Sequence, residues 1–245
     1  MEKGNLGVIL VVLFVLLIAI NYNAINGFLI KNYGSERTVV VERVIDGDTI
    51  VVSGSSIGED VHVRLLGINT PETTKDESYS EEAREFLERE VLNKSIVLEF
   101  SGERTDKYGR TLAYVFVNGR NINVEMVENG YAYYYFYSGE DKYSEYLKNA
   151  WEECIKTGIN LCSVSEDKCG DCVKIESSNK IKNNCVSSCD LDGWMIKGEG
   201  REEFYFNETL NSGGEKSFDI DLENSGRSLY LRDAEGKLVD WGVFD

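Results

Sequence analysis

Between residues 38 and 65 the chain alternates apolar and polar residues in three consecutive runs, and this pattern restricts the fold more than any other feature. The runs read TVVVERVID, TIVVSG and VHVRLL, with glycine-containing turns between them. A period of two is that of a half-buried strand, so the segment must open as sheet. At 80–94 the period changes, and Ala83, Phe86, Leu87, Val91 and Leu92 fall on one side at helical spacing. SIVLEF (95–100) and RTLAYVFVNG (110–119) return to strands. Asn123 is placed to cap a short helix over 123–129 that Gly130 closes. A last helix over 142–156 buries Tyr146, Leu147, Ala150, Trp151 and Cys154. Strands, helix, strands, helix, helix over about 125 residues predict a small barrel with appended helices.

The flanks differ in kind. Residues 6–20, LGVILVVLFVLLIAI, carry no charge and follow Lys3. This run is short for a membrane span, which takes about 20 residues, and long for a signal core. An uncleaved anchor is the favoured reading and a cleaved signal the alternative. Both place the rest of the chain outside the cell, membrane-anchored or secreted, with the membrane as a partner in the first case. Cysteines stand at 154, 162, 169, 172, 185 and 189. Their clustering fits disulfides in an oxidising compartment. The spacing Cys169-x2-Cys172 and Cys185-x3-Cys189 also fits a four-thiolate Zn2+ site. The export segment favours disulfides. Beyond Asn184, short apolar runs alternate with Gly and Asn turns, the pattern of a small β-sandwich. The expected organisation is a signal-anchor segment with linker (1–36), a barrel domain (37–165), a Cys-rich linker (166–183) and a β-sandwich (184–245).

The net charge is −17. Residues 37–165 hold 14 basic and 23 acidic groups, and residues 166–245 hold 10 and 18. A chain this acidic is no general neutraliser of phosphate backbones. Any nucleic-acid chemistry must therefore come from a local site or a bound cation.

Three segments carry groups suited to phosphate chemistry. VIDGDTI has Asp46 and Asp48 around Gly47. VRLLGINTPET has Arg64, Asn69, Thr70 and Glu72 around Pro71, the protein's only proline. RTDKYGR has Arg104, Asp106, Lys107, Tyr108 and Arg110. Carboxylate and carbonyl oxygens hold hard cations, and arginines make forked hydrogen bonds to phosphate oxygens. Singly, each segment reads equally well as a charged turn or loop. YAYYYFY (131–137) offers either faces on which bases stack or one side of a packed core. His62, the lone histidine, sits in a strand pattern and reads as a surface residue.

Taken together, the order and spacing of these segments, with R-T-D-K-Y-G-R-x-L-A-Y and N-x-x-x-V-x-x-G-x-A, resemble the staphylococcal nuclease-like (thermonuclease) family over about 38–163. The resemblance implies a five-stranded oligonucleotide-binding (OB-fold) barrel with three helices. It also implies one Ca2+ per domain and endonucleolytic hydrolysis of DNA and RNA that leaves 3′-phosphates. It assigns Asp48, Asn69 and Thr70 to the metal, with Asp46 behind them. Arg64 and Arg110 fall to the phosphate, and Glu72 to the general base or water-orienting group. Lys107, Tyr108, Tyr135 and Tyr137 fall to the nucleotide. The departure is Asn69, where the family usually has an aspartate; one charge fewer implies weaker Ca2+ binding. The alternative is a nuclease-like barrel that binds nucleic acid or a surface without cutting. LDGWMIKG, the L-N-S-G-G turn and L-x-D-A-x-G-x-x-V-D-x-W over about 184–245 resemble the lamin-tail domain, an immunoglobulin-like sandwich. That resemblance implies binding to a surface or protein partner, and no residue set there has a catalytic pattern. A monomer is expected.

Overall fold

The structure, a computed structural model, describes residues 36–75, 77–137, 139–222 and 226–244. The N-terminal apolar helix expected from the sequence lies outside the described residues. Among the described residues no helix is long and apolar enough to cross a membrane.

Strands β1 (Glu36–Asp46), β2 (Thr49–Gly54) and β3 (Gly58–Leu65) form the antiparallel meander that the alternation predicts. The short strand β4 (Ile68–Asn69) and helix α1 (Ser80–Val91) follow. Next come β5 (Ser95–Glu99), β6 (Thr111–Val117) and β7 (Arg120–Asn121). The sheet order is β3-β2-β1-β5-β6-β7, and a parallel pairing of β3 with β6, from Val63–Thr111 to Leu65–Ala113, closes the ring. Five strands thus make a closed barrel, and β7 extends its edge. Two register shifts in β1, at Val41/Arg43 and Val44/Asp46, bend the strand enough for it to pair on both sides. Val39, Val41, Ile50, Val52, Val63, Leu65, Ile96, Leu98, Ala113 and Val115 fill the interior, and α1 covers it with Ala83, Phe86, Leu87 and Val91.

Helix α2 (Ile122–Glu128) starts one turn-setting residue earlier than the sequence suggests. Its cap is Asn121, whose side chain accepts the Val124 N–H at 3.3 Å. Asn123 is instead fully buried; it accepts the Val115 N–H and donates to the Leu66 carbonyl, tying α2 to the barrel. Strand β8 (Tyr133–Tyr134) pairs with β4, and helix α3 (Ser144–Thr157) ends at Gly158 with a left-handed φ of 64°. Leu147, Ala150, Trp151 and Cys154 are buried on α3 as the spacing predicts, but Tyr146 is exposed, one position off that face.

The C-terminal region contains β9 (Val173–Ser177), β10 (Lys180–Asn183), β11 (Cys189–Asp190), β12 (Met195–Gly198) and β13 (Glu203–Tyr205). It continues with β14 (Thr209–Leu210), β15 (Glu215–Ser217), β16 (Ser228–Arg232) and β17 (Leu238–Val243). They assemble as sheets β13-β12-β16-β17, β15-β10-β9 and β11-β14 around Trp194, Ile196, Phe206, Leu229 and Leu231. Strands β9 and β10 lie where the sequence reads as linker, and Val173 and Ile181 are fully buried in this core. The cysteines pair as Cys154–Cys162, Cys169–Cys189 and Cys172–Cys185. The Zn2+ alternative falls with this pairing, because no thiolate remains to bind a metal.

The two regions share a core. Tyr230 of β16 packs against Tyr133 and Trp151, with ring centroids 4.6 and 5.0 Å away, and Leu238 of β17 joins the barrel's apolar cluster. Tyr134 and Ser228 share a hydroxyl hydrogen bond of 2.7 Å, and the buried Arg232 donates to the Leu161 carbonyl at 2.9 Å.

Candidate active site

The turn between β1 and β2 is where the acids gather. Gly47 is required there, because a Cβ would lie 2.9 Å from the side chains of Thr70 and Ala83. Asp48 is buried with both carboxylate oxygens engaged. Oδ1 accepts the Thr49 hydroxyl at 2.9 Å. Oδ2 accepts the Thr70 N–H and hydroxyl and pairs with Arg64 at 2.9 Å. Burial and the charge of Asp48 push the Asp46 carboxyl up to about 6.

Arg64 leaves β3 beside them, its guanidinium donating to the Leu65 carbonyl at 2.6 Å and the Asn69 Oδ1 at 3.2 Å. Arg110 precedes β6 and is held by Asp106, Nε to Oδ2 at 2.8 Å, while Asp106 Oδ1 caps the loop by accepting the Tyr108 and Arg110 N–H groups. Burial works against the Asp106 anion, but these bonds from Arg110 hold its carboxyl below the usual range. The RTDKYGR hairpin thus pre-sets its arginine, which costs less to use than a free one.

Arg64 and Arg110 open into one cleft of about 690 Å3, with Asn69, Lys107, Tyr108, Tyr135 and Tyr137 also on its walls. The tyrosine run divides in two. Tyr133 and Tyr134 are core, whereas Tyr137 and Tyr108 are exposed on the cleft. The core reading of YAYYYFY thus holds for Tyr133 and Tyr134, while Tyr135 and Tyr137 line the cleft. His62 is exposed on β3, away from this lining.

One wall was not anticipated. Gly200, Arg201 and Glu202, in the loop from β12 to β13, line the same cleft. Arg201 Nε lies 2.8 Å from the Glu72 carboxylate. Asn69 is buried, and its Nδ2 donates to the carbonyls of Glu199 and Gly200, both at 3.1 Å. The sequence reading named no site residue in the C-terminal region, and the structure brings three of its residues to the cleft. No local pattern signals these residues, because the contacts span 130 positions of chain.

Asp48 and Asn69 present side-chain oxygens, donors of the hard type that divalent cations take, and in this structure Arg64 engages both. The unfavourable crowding of Asp46 and Asp48 is what a cation would relieve. Elsewhere among the described residues, the one close grouping of three potential ligands is Cys169, Cys185 and Cys189, whose sulfurs are spent in disulfides.

A closed five-stranded barrel with two clamped arginines opening into one cleft, one of them paired with the buried Asp48, defines an OB-type fold with a phosphate-sized set of donors. The family model of the staphylococcal nuclease homologues matches residues 62–163. A thermonuclease of Staphylococcus intermedius is 35% identical over 167 residues, covering 66% of this chain and 98% of that protein. A thermonuclease of Staphylococcus hyicus is 34% identical over 171 residues, covering 66% and 99%. The endonuclease YncB of Bacillus subtilis is 36% identical over 141 residues, covering 55% and 66%. The chain belongs to the staphylococcal nuclease family. It is a hydrolytic nuclease, a phosphodiesterase acting on nucleic acid.

Proposed function

We propose that this nuclease is a Ca2+-dependent endonuclease that cuts DNA and RNA to leave 3′-phosphate ends, and that its N-terminal apolar segment exports or anchors it. The observation that carries the catalytic part is the convergence of Arg64 and Arg110, from separate elements, on one cleft, with Asp48 and Glu72 ion-paired to arginines of its wall. In this reading Glu72 takes a proton from the attacking water. The oxygen of that water bonds to phosphorus as the bond to the 5′-oxygen breaks, and the 5′-oxygen takes up a proton from solvent water while Glu72 returns its own to solvent. Arg64 and Arg110 donate to the non-bridging oxygens, where charge builds in the transition state. Asp48, Thr70 and Asn69 would hold a cation, whose charge would add to that stabilisation. Tyr108 and Lys107 would meet the nucleotide's terminal phosphate, and Tyr135 and Tyr137 its bases.

The C-terminal sheets, all three contributing to one core, support the lamin-tail resemblance as a proposal, with a surface or protein partner for that region. Incubating residues 36–245 with single-stranded and duplex DNA in Ca2+, Mg2+ or EDTA tests the chemistry. Ca2+-dependent fragments with 3′-phosphates are expected, and 5′-phosphate ends would overturn the assignment of the leaving oxygen. Fractionating cells that express the chain with and without residues 1–35 tests export; an unchanged cytosolic pool would sink it.

A further inference from the structure

Arg201 is set in the cleft differently from the two barrel arginines. The backbone that carries it is fixed at several points. Asn69 holds the carbonyls on its N-terminal side. Glu199 accepts the buried Ser228 N–H at 2.9 Å, and Gly198 N–H closes the hairpin on the Glu202 carbonyl. At its base the buried Lys197 bridges Glu77 of the barrel and Glu203 of β13. The Arg201 side chain, by contrast, is 63% exposed, and its ion pair is with Glu72 alone among the pairs formed by the described residues. An exposed pair of this kind contributes little in water and yields readily to a stronger anion.

Building on the nuclease reading, we infer that Arg201 is a third phosphate-binding residue of the cleft, supplied by the C-terminal region, and that it rests on Glu72 until nucleic acid arrives. A phosphodiester offers the guanidinium two oxygens in the forked geometry it prefers. Its departure from Glu72 leaves that carboxylate ready for water. The chain's acidity makes one more cation in the cleft count, since the surface supplies no general attraction for the backbone. Binding and readiness of the base are coupled in one side chain.

The test uses the 36–245 chain and a fluorescent single-stranded oligonucleotide in EDTA, with affinity measured across a KCl series. Arg201→Ala is expected to weaken binding by about tenfold. It should also reduce the slope of log affinity against log salt by about 0.7, the value of one lost phosphate contact on a single strand. Arg201→Lys should keep the slope and most of the affinity, and Glu72→Gln, which releases Arg201, should bind more tightly than the unaltered chain. Unchanged affinity in Arg201→Ala overturns the inference, and so does a loss of affinity with the slope intact, which would mean packing alone. Ca2+-dependent cutting measured alongside separates the two readings. Cutting with no effect of Arg201→Ala sinks only this inference, whereas neither binding nor cutting by the unaltered chain sinks the nuclease reading with it.

Discussion

The barrel and the C-terminal region reach a stable core by different means. The barrel closes five strands on themselves, so its backbone bonds have no open edge between β3 and β6, and its interior is aliphatic. The C-terminal region has strands of only two to six residues, two of its own disulfides, and a β16 strand buried along its whole length. It lends Tyr230 and Leu238 to its neighbour's core. Short strands bury too little apolar surface to hold alone, so cross-links and a shared seam make up the difference. The same contrast runs through the cleft, where barrel arginines are clamped and Arg201 is loose on a fixed loop.

The hardest test of this contrast is Tyr230→Ala, which empties the seam between Tyr133 and Trp151. A loss of about 3–5 kcal/mol is expected in urea unfolding, shared by both regions. If the barrel's own transition is untouched, the shared core is not one. Next, Arg64→Ala should lower kcat by about 10²–10³, and it should also lower stability by about 3–5 kcal/mol, because the buried Asp48 carboxylate loses its partner. A similar loss caused by a mutation confined to the C-terminal core would blur the division of labour. Replacing Cys172 and Cys185 together by alanine should cost about 2–4 kcal/mol, localised to the C-terminal region in hydrogen exchange. Equal loss of protection in the barrel strands would break the comparison. Asn69→Asp sets a carboxylate against two carbonyl oxygens and removes two donated bonds, for a loss of about 1–3 kcal/mol seen as a lower Tm. A rise in Tm in EDTA would show that the loop is not fastened there.

Much of this was legible in the sequence because it is local. Alternation gave away β1 to β3, helical spacing gave away α1 and α3, and the RTDKYGR hairpin carries its own clamp within four residues. Strands β9 and β10, VKIES and KIKN, are half lysine, glutamate and serine, and so look like linker until Val173 and Ile181 are seen in the core. Asn121 and Asn123 both look like caps, and only the long-range bonds to Val115 and Leu66 decide between them. Arg201 stands in G-E-G-R-E-E, a loop with no motif, and nothing near Asn69 in sequence signals that its amide also holds that loop. Contacts across such distances in chain leave no periodic trace.

The lent residues also set an order of assembly. A chain made from its N-terminus has its barrel strands and α3 complete well before β16 and β17 are synthesised. Tyr133 and Trp151 then wait without Tyr230 and Leu238 against them. The nascent protein therefore carries a sticky aromatic face until β16 and β17 emerge, and a chain cut short before β16 keeps that face.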